Sequence, residues 1–380
     1  MRSIIYALGG LSLLLLAWRL PGQTFTTNGW RTLVPSDALP DSVHCQRGNN
    51  NLDLIRFGAR YYFAFRTAPT HFASSKTQLY VLSTADRQSW RLEMQVHLGA
   101  DMREPRFAIL GDRLHFYFFS AGTNPLGFQP AHVYAGHRRT SGEWTTPRKL
   151  EGLDGFVPWR FRNRDDQLYM SAYYGRDLYK TGHHGQMRLY RSSDGYAWTP
   201  ISEGSQLGDR GGEEGEFIFD AEGNLWGTVR LEGAGGMVVY AHRDSLAHWR
   251  SYPTRNKYDS ALLFRDGDEI YLVARRSLDG VADKAPWLPA AIRRFYNLGR
   301  YSLTQKVTAL WHLDQRNQTL VHVMDFPSTG DTAFPAIAEI APGRWWLMNY
   351  SSDIAGPRRN WIGGQIRKTF IYETELVRSE

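Results

Sequence analysis

A recurring turn restricts the fold more than any other feature of the chain. Residues 191–200 read "RSSDGYAWTP", with Ser192, Ser193, Asp194 and Gly195 in a row and Trp198 three residues after the Gly. Asp and Ser side chains bond backbone amides one or two residues on, and Gly accepts positive φ. The preceding "MRLY" alternates like a strand. Weaker versions stand at 83–90 ("STADRQSW"), 137–144 ("HRRTSGEW") and 242–249 ("HRDSLAHW"), each after a strand-like run. The repeats fall about 50 residues apart, the length of one four-stranded blade. Period, short strands and Trp together predict an all-β chain folded as a β-propeller.

Six segments share one grammar: an apolar strand, a Gly or Asp turn, then a second strand. They begin at "NLDLIRFG", "REPRFAILG", "GFVPWRFRN", "EGEFIFDAEG", "YDSALLFRDG" and "TAFPAIAEIAPG". The fifth carries an insertion, 277–297, placed to form a lid; the sixth is one strand short. "WRTLV" (30–34) would supply the missing outer strand. The expectation is a six-bladed propeller over residues 27–380, closed by an N-terminal strand, which removes exposed sheet edges. Helix signals are weak throughout. Cys45 is the single cysteine, so packing must hold the fold without an internal disulfide.

Ahead of the propeller, Arg2 precedes an apolar run at residues 4–18. Fifteen residues suit a signal-peptide core and fall short of the ~20 that span a bilayer. "RLPGQ" follows where a small-x-small cleavage site would stand. Residues 1–26 are therefore read as a signal peptide or an uncleaved membrane anchor. The body is expected to be exported, periplasmic or extracellular. The formal charge of +7 favours anionic partners such as acidic glycans or membrane surfaces. The basic residues are spread along the chain and form no nucleic-acid motif, which argues against a nucleic-acid partner.

The turn Ser192-x-Asp194-Gly195-x-x-Trp198, one register shorter than Ser-x-Asp-x-Gly-x-x-Trp, resembles the Asp-box of the sialidase (neuraminidase) superfamily. "NNNLDLIRFGARYYFAFR", "REPRFAILGDRLHFYF", "RLYRSSDGYAW" and "PSTGDTAFPAIAEIAPGRWWLMNYSS" are similar to the bacterial exo-α-sialidase-like propellers. The resemblance runs from Asn49 to Leu376. It implies that Asp194 is structural, since such boxes lie on the blade periphery. It also implies three arginines gripping a carboxylate, a Tyr nucleophile raised by a Glu, and an Asp acid/base. Glu214 or Glu216 with Arg230 resembles the family's Glu and second Arg, Arg275 a third Arg, and Tyr350 the nucleophile. Tyr350 is then expected within hydrogen-bond reach of Glu214 or Glu216. The family's Arg-Ile-Pro is missing from the first blade; Arg103-Glu104-Pro105 opens the second instead.

Propeller ligands sit at the axial mouth, so polar residues at first-strand starts are candidates in their own right. These are Arg47, Asn50 and Asp53; Arg103, Glu104 and Arg106; Trp159 and Arg160; Glu213, Glu214 and Glu216; Asp259; and Asp331. Buried charges need partners, so each would either meet a ligand or pair across the axis. Asp53 and His71 are the candidate acid/bases, beside Tyr350 and Glu214. Arg47, Arg66, Arg106, Arg160, Arg230 and Arg275 are candidate substrate grips, since guanidinium pairs with carboxylate oxygens two at a time. Glu216, Trp159 and Asp331 complete the expected binding set. Trp159, Tyr173, Tyr174, Trp287 and Trp361 offer sugar-stacking faces. His183 and His184 lack a third ligand, and no metal or cofactor is expected.

Three functions fit: an exo-glycosidase acting on an acidic or deoxy sugar, a glycan-binding or scaffolding propeller of the cell envelope, or a polysaccharide lyase.

Overall fold

The computed structural model describes residues 24–140, 142–175 and 185–379. Its strands form six antiparallel sheets: five are each drawn from one stretch of chain, 48–96, 101–149, 156–200, 213–254 and 259–326, and the sixth joins 332–379 to the N-terminal strands. The first strands of these blades, Gly48–Phe57, Asp101–Leu110, Phe156–Arg164, Glu213–Phe219, Asp259–Asp266 and Thr332–Ala341, pack side by side around an axis. The ring closes where the sixth meets the first. The fold is the expected six-bladed propeller.

The second strands show why blades stack. Arg113–Ala121, "RLHFYFFSA", is apolar on both faces because each face meets a neighbouring blade. Phe116 and Phe118 turn toward blade one, in a core with Tyr62, Leu79 and Val81. Tyr117 turns toward blade three and stacks on Phe161 at 4.1 Å. Each such ring contributes roughly 1.5–3 kcal/mol on burial.

Closure is made by two N-terminal pieces rather than one. Thr24–Thr27 and Arg31–Val34 both lie antiparallel on Thr369–Ser379, the third strand of blade six. Among the described residues sheet pairing therefore starts at Thr24, three residues before the expected boundary. Glu373 pins the seam: it accepts from Arg31 Nε and from Trp346 Nε1, both at 2.7 Å. Residues 1–23 lie outside the described residues, and with them the apolar run. Among the described residues no helix is long and apolar enough to cross a membrane.

The opening turn has the geometry its residues imply. Asp194 Oδ1 accepts from the Tyr196 and Ala197 amides at 2.8 Å and from Ser192 Oγ at 3.0 Å. Gly195 has φ +78°, and a Cβ there would meet His115 at 2.4 Å, so no larger residue fits. Trp198 packs between Phe161 and Tyr117, in blades three and two. Asp86 repeats the arrangement, accepting from the Gln88 and Ser89 amides.

Each first strand starts at one face of the ring, so second-to-third connections return to that face. The longest is the blade-five insertion. It contains helix α1 (Ala290–Leu303), which the sequence pattern did not announce. A second, short helix α2 (Trp361–Gln365) lies in the blade-six connection. Thr24 pairs with Ser379, at the far end of the last strand, so the chain enters on the opposite face.

Candidate functional site

Every first strand is irregular at the same point. Register shifts fall at Asn51, Glu104, Trp159, Glu214, Ser260 and Phe334, with a second one in blade six at Ile340. Five of these bulged residues have φ between +44° and +53°, a conformation costly for a residue with a Cβ. A bulge re-aims a side chain. Here it turns Glu104, Trp159, Glu214, Ser260 and Phe334 into one axial cleft of about 290 Å³. Trp361 and Gln365 of α2, Leu298 and Tyr301 of α1, and the 125–128 loop wall it.

Second-strand residues lie beneath the bulges. Arg230 is opposite Glu213, Arg275 opposite Asp259 and Tyr350 opposite Ala333. Arg230 is surrounded by carboxylates: Glu213, Glu214 at 2.8 Å, Glu232 at 3.2 Å and Asp259 at 3.3 Å. Lys257 joins them through Glu232 and Asp259. Burial raises the Glu213 carboxyl to about 7 despite Arg230, and raises Glu214 also. Arg275 differs. Its hydrogen bonds go to neutral oxygens: Thr332 O at 2.7 Å, Tyr301 Oη at 3.3 Å and Ser260 Oγ at 3.3 Å. The Trp361 ring covers it at 5.7 Å.

Across the cleft floor, Glu104 accepts from Asn51 Nδ2 at 2.6 Å and Arg106 at 3.0 Å. Burial nonetheless pushes its carboxyl up to about 7, with the charge of Glu214 adding to the rise. His71 reaches the cleft from the connection after the second strand of blade one. Its Nδ1 lies 2.7 Å from Asp331 Oδ2, while the other Asp331 oxygen accepts from Tyr350 Oη at 2.8 Å. Burial lowers the His71 pKa and outweighs Asp331, so the imidazole is neutral near neutrality. Burial alone would raise Asp331, but His71 and Arg275 hold it below the usual carboxylate range.

Several expectations need correction. Tyr350 meets neither Glu214 nor Glu216: it is fully buried, bonded to Asp331 and stacked beneath Phe334. Burial and Asp331 push its phenol well above the ordinary value, the opposite of an activated nucleophile. Asp53, Arg160 and Glu216 lie past the bulges, toward the other mouth of the axis. There Arg160 bridges Asp53 at 3.5 Å and Glu216 at 2.5 Å. Asp53 also caps the Phe107 amide at 2.7 Å. Arg106 is sealed by Trp159 O, Leu52 O and Glu104. Arg66 is sealed by Asp101 and Asn50. Arg47 is exposed, and its carbonyl accepts from Thr369. Arg47 apart, these charges are buried and met partners within the protein, as buried charges must. Of the proposed aromatic walls, Trp159, Tyr173 and Trp361 line the cleft. Tyr174 packs on Phe156, and Trp287 is exposed. His183 and His184 lie outside the described residues. Among the described residues no His, Cys, Asp and Glu cluster is arranged for a metal ion.

Glu232, Lys257, Ser260, Tyr301 and Phe334 were not anticipated. Glu232 and Lys257 flank Arg230 and Asp259 by two residues, the one signal that pointed to them. Tyr301 comes from α1 and donates to Asp259 at 2.6 Å.

The chain is thus a six-bladed propeller with a charged, aromatic-walled axial cleft. It matches no protein-family model and no curated protein sequence. Solved structures share the fold. A protein of unknown function from Dyadobacter fermentans superposes with a TM-score of 0.66 at 11% identity, over 95% of this chain and 100% of that one. The Trypanosoma rangeli sialidase gives 0.59 at 12%, over 87% of this chain and 55% of its own. The phage phi92 endosialidase gives 0.58 at 11%, over 86% and 67%. The chain therefore spans about half the length of the trypanosomal sialidases.

Proposed function

We propose that the protein is a glycan-acting enzyme, a glycosidase that cleaves an acidic sugar at a glycan end. The observation that carries this reading is Arg275. It is a buried guanidinium lining the cleft whose hydrogen-bond partners are neutral, so it can receive a substrate carboxylate where Arg230 cannot. Its neighbours suit proton transfer. Neutral His71 has Nδ1 2.7 Å from Asp331 and 3.3 Å from Asn50 Nδ2; in the tautomer that is protonated at Nδ1, Nε2 acts as general base. Glu104, whose carboxyl burial raises to about 7, acts as general acid. Trp159, Tyr173 and Trp361 supply stacking faces. Tyr350 positions Asp331 and takes no covalent role.

The same groups suit a second reading. A neutral His base beside an Arg that neutralises a uronate is the requirement of a polysaccharide lyase. The test is a panel of oligosaccharides ending in uronic, nonulosonic or neutral sugars, with product analysis. A new reducing end without unsaturation supports the glycosidase. An unsaturated, ultraviolet-absorbing product replaces it with the lyase. Binding without turnover by any member leaves a glycan-binding propeller and refutes both.

The likeness to sialidases supports a glycan substrate at the level of fold. Export and membrane attachment rest on residues 1–18 alone; we propose that the chain is exported.

A further inference from the structure

Helix α1 is built inside out. The outward stripe is Ile292, Phe295, Tyr296 and Leu303, while Asn297 and Tyr301 are the buried positions. A surface helix normally buries its apolar stripe. Phe295 is 83% exposed, nearby Trp287 75%, and Leu126, on the loop across the cleft, 95%. Among the described residues nine large apolar side chains are exposed. All but Leu98 and Val321 belong to the helices and loops framing the cleft, Ile366 after α2 included. Isolated exposed apolar residues need no explanation; a cluster on one face does.

That face is also basic. Residues 277–305 hold four basic residues against two acids, and 353–368 hold four against one. Arg367 and Lys368 are exposed directly after Ile366, and Arg358 is exposed in the same connection. Aromatic and aliphatic side chains projecting from a helix with basic residues at their edge match an anionic bilayer surface. The rings and chains enter the acyl boundary and the cations stay with the headgroups. A second copy of the chain would bring like charge against like.

We propose that the cleft face docks on anionic phospholipid membranes through α1, Trp287 and Leu126, so that the cleft opens toward glycans carried at that surface. The docking holds whichever reaction the cleft performs. Thr24 lies on the opposite face, so attachment through residues 4–18 is separable from it.

The test uses the full chain and vesicles of phosphatidylglycerol or phosphatidylcholine. The wild type should sediment with phosphatidylglycerol vesicles and at least tenfold less with phosphatidylcholine. Leu126→Ser/Phe295→Ser and, independently, Arg367→Glu/Lys368→Glu should each weaken the association tenfold or more without moving the melting temperature. Brominated lipids should quench a fluorescence component that Trp287→Phe removes. The proposal is overturned if the wild type ignores both vesicles. It is equally overturned if both double variants bind unchanged, or if bound protein shows no Trp287 quenching, which would leave attachment to residues 4–18. Self-association abolished by the Leu126/Phe295 variant, without vesicle binding, would make a second copy the occupant instead.

Discussion

Glu104→Gln separates the electrostatics of the cleft from its architecture. Glu104 is buried on a bulge, and its carboxyl is raised from 4.5 to about 7, first by burial. A carboxyl whose folded pKa is raised favours folding while protonated. That advantage is complete below pH 4.5 and lost as pH rises through 7. One pKa unit is about 1.4 kcal/mol, so the loss amounts to about 3 kcal/mol. Gln keeps the shape and cannot ionise; its amide nitrogen cannot accept, so one of the two bonds Glu104 receives, from Asn51 Nδ2 or from Arg106, is lost equally at both pH values. Arg106 retains Trp159 O at 2.8 Å and Leu52 O at 3.0 Å in the variant. Urea unfolding at constant ionic strength, at pH 5 and pH 8.5, should therefore show the Gln variant gaining about 3 kcal/mol on the wild type between the two. If the difference between the two proteins is the same at both pH values, Glu104 ionises normally and its assignment as general acid fails. With substrate, the same variant should lose 10²–10⁴-fold in kcat, and the alkaline limb near pH 7 should disappear.

Arg275→Ala should raise KM for an acidic glycan at least tenfold and leave a neutral analogue nearly unaffected; equal loss on both would remove Arg275 as the carboxylate grip. Tyr350→Phe deletes one buried hydrogen bond and should cost about 1 kcal/mol in denaturant unfolding, with kcat falling less than tenfold. Complete loss of turnover would restore Tyr350 as a nucleophile. Asp194→Ala strips the turn of three hydrogen bonds and should destabilise by about 1–2 kcal/mol, with KM and kcat unchanged, because the turn lies on the face away from the cleft.

Much of the fold was legible because its signals are local. The hairpin turns need Asp and Gly whatever surrounds them, and strands flanked by blades on both sides carry apolar side chains on both faces, as Phe116–Phe119 do. Counting such units gave six blades, and a sixth blade one strand short pointed to residues 30–34 as the seam. Helix α1 was missed although Ile292, Phe295, Tyr296 and Leu303 recur at helical spacing, because Pro286 and Pro289 before it and Gly299 within it give the segment the composition of a loop.

The candidate site was legible in its residue types and not in its pairings. First-strand starts pointed to Glu104, Glu214, Asp259 and Asp331, and second strands to Arg230, Arg275 and Tyr350. Which of them meet depends on one extra residue in each first strand. The bulge turns Glu104 and Glu214 into the cleft, while Glu216, two residues past Glu214, faces the other end of the axis with Arg160. No sequence rule places a bulge, since a residue with a Cβ adopts positive φ only where the surrounding sheet holds it there. Tyr350 likewise found Asp331 rather than a glutamate because the two share blade six. The chain alone determined a propeller rich in axial charge; the tertiary structure decided which charges cancel and left Arg275 with only neutral oxygens as hydrogen-bond partners.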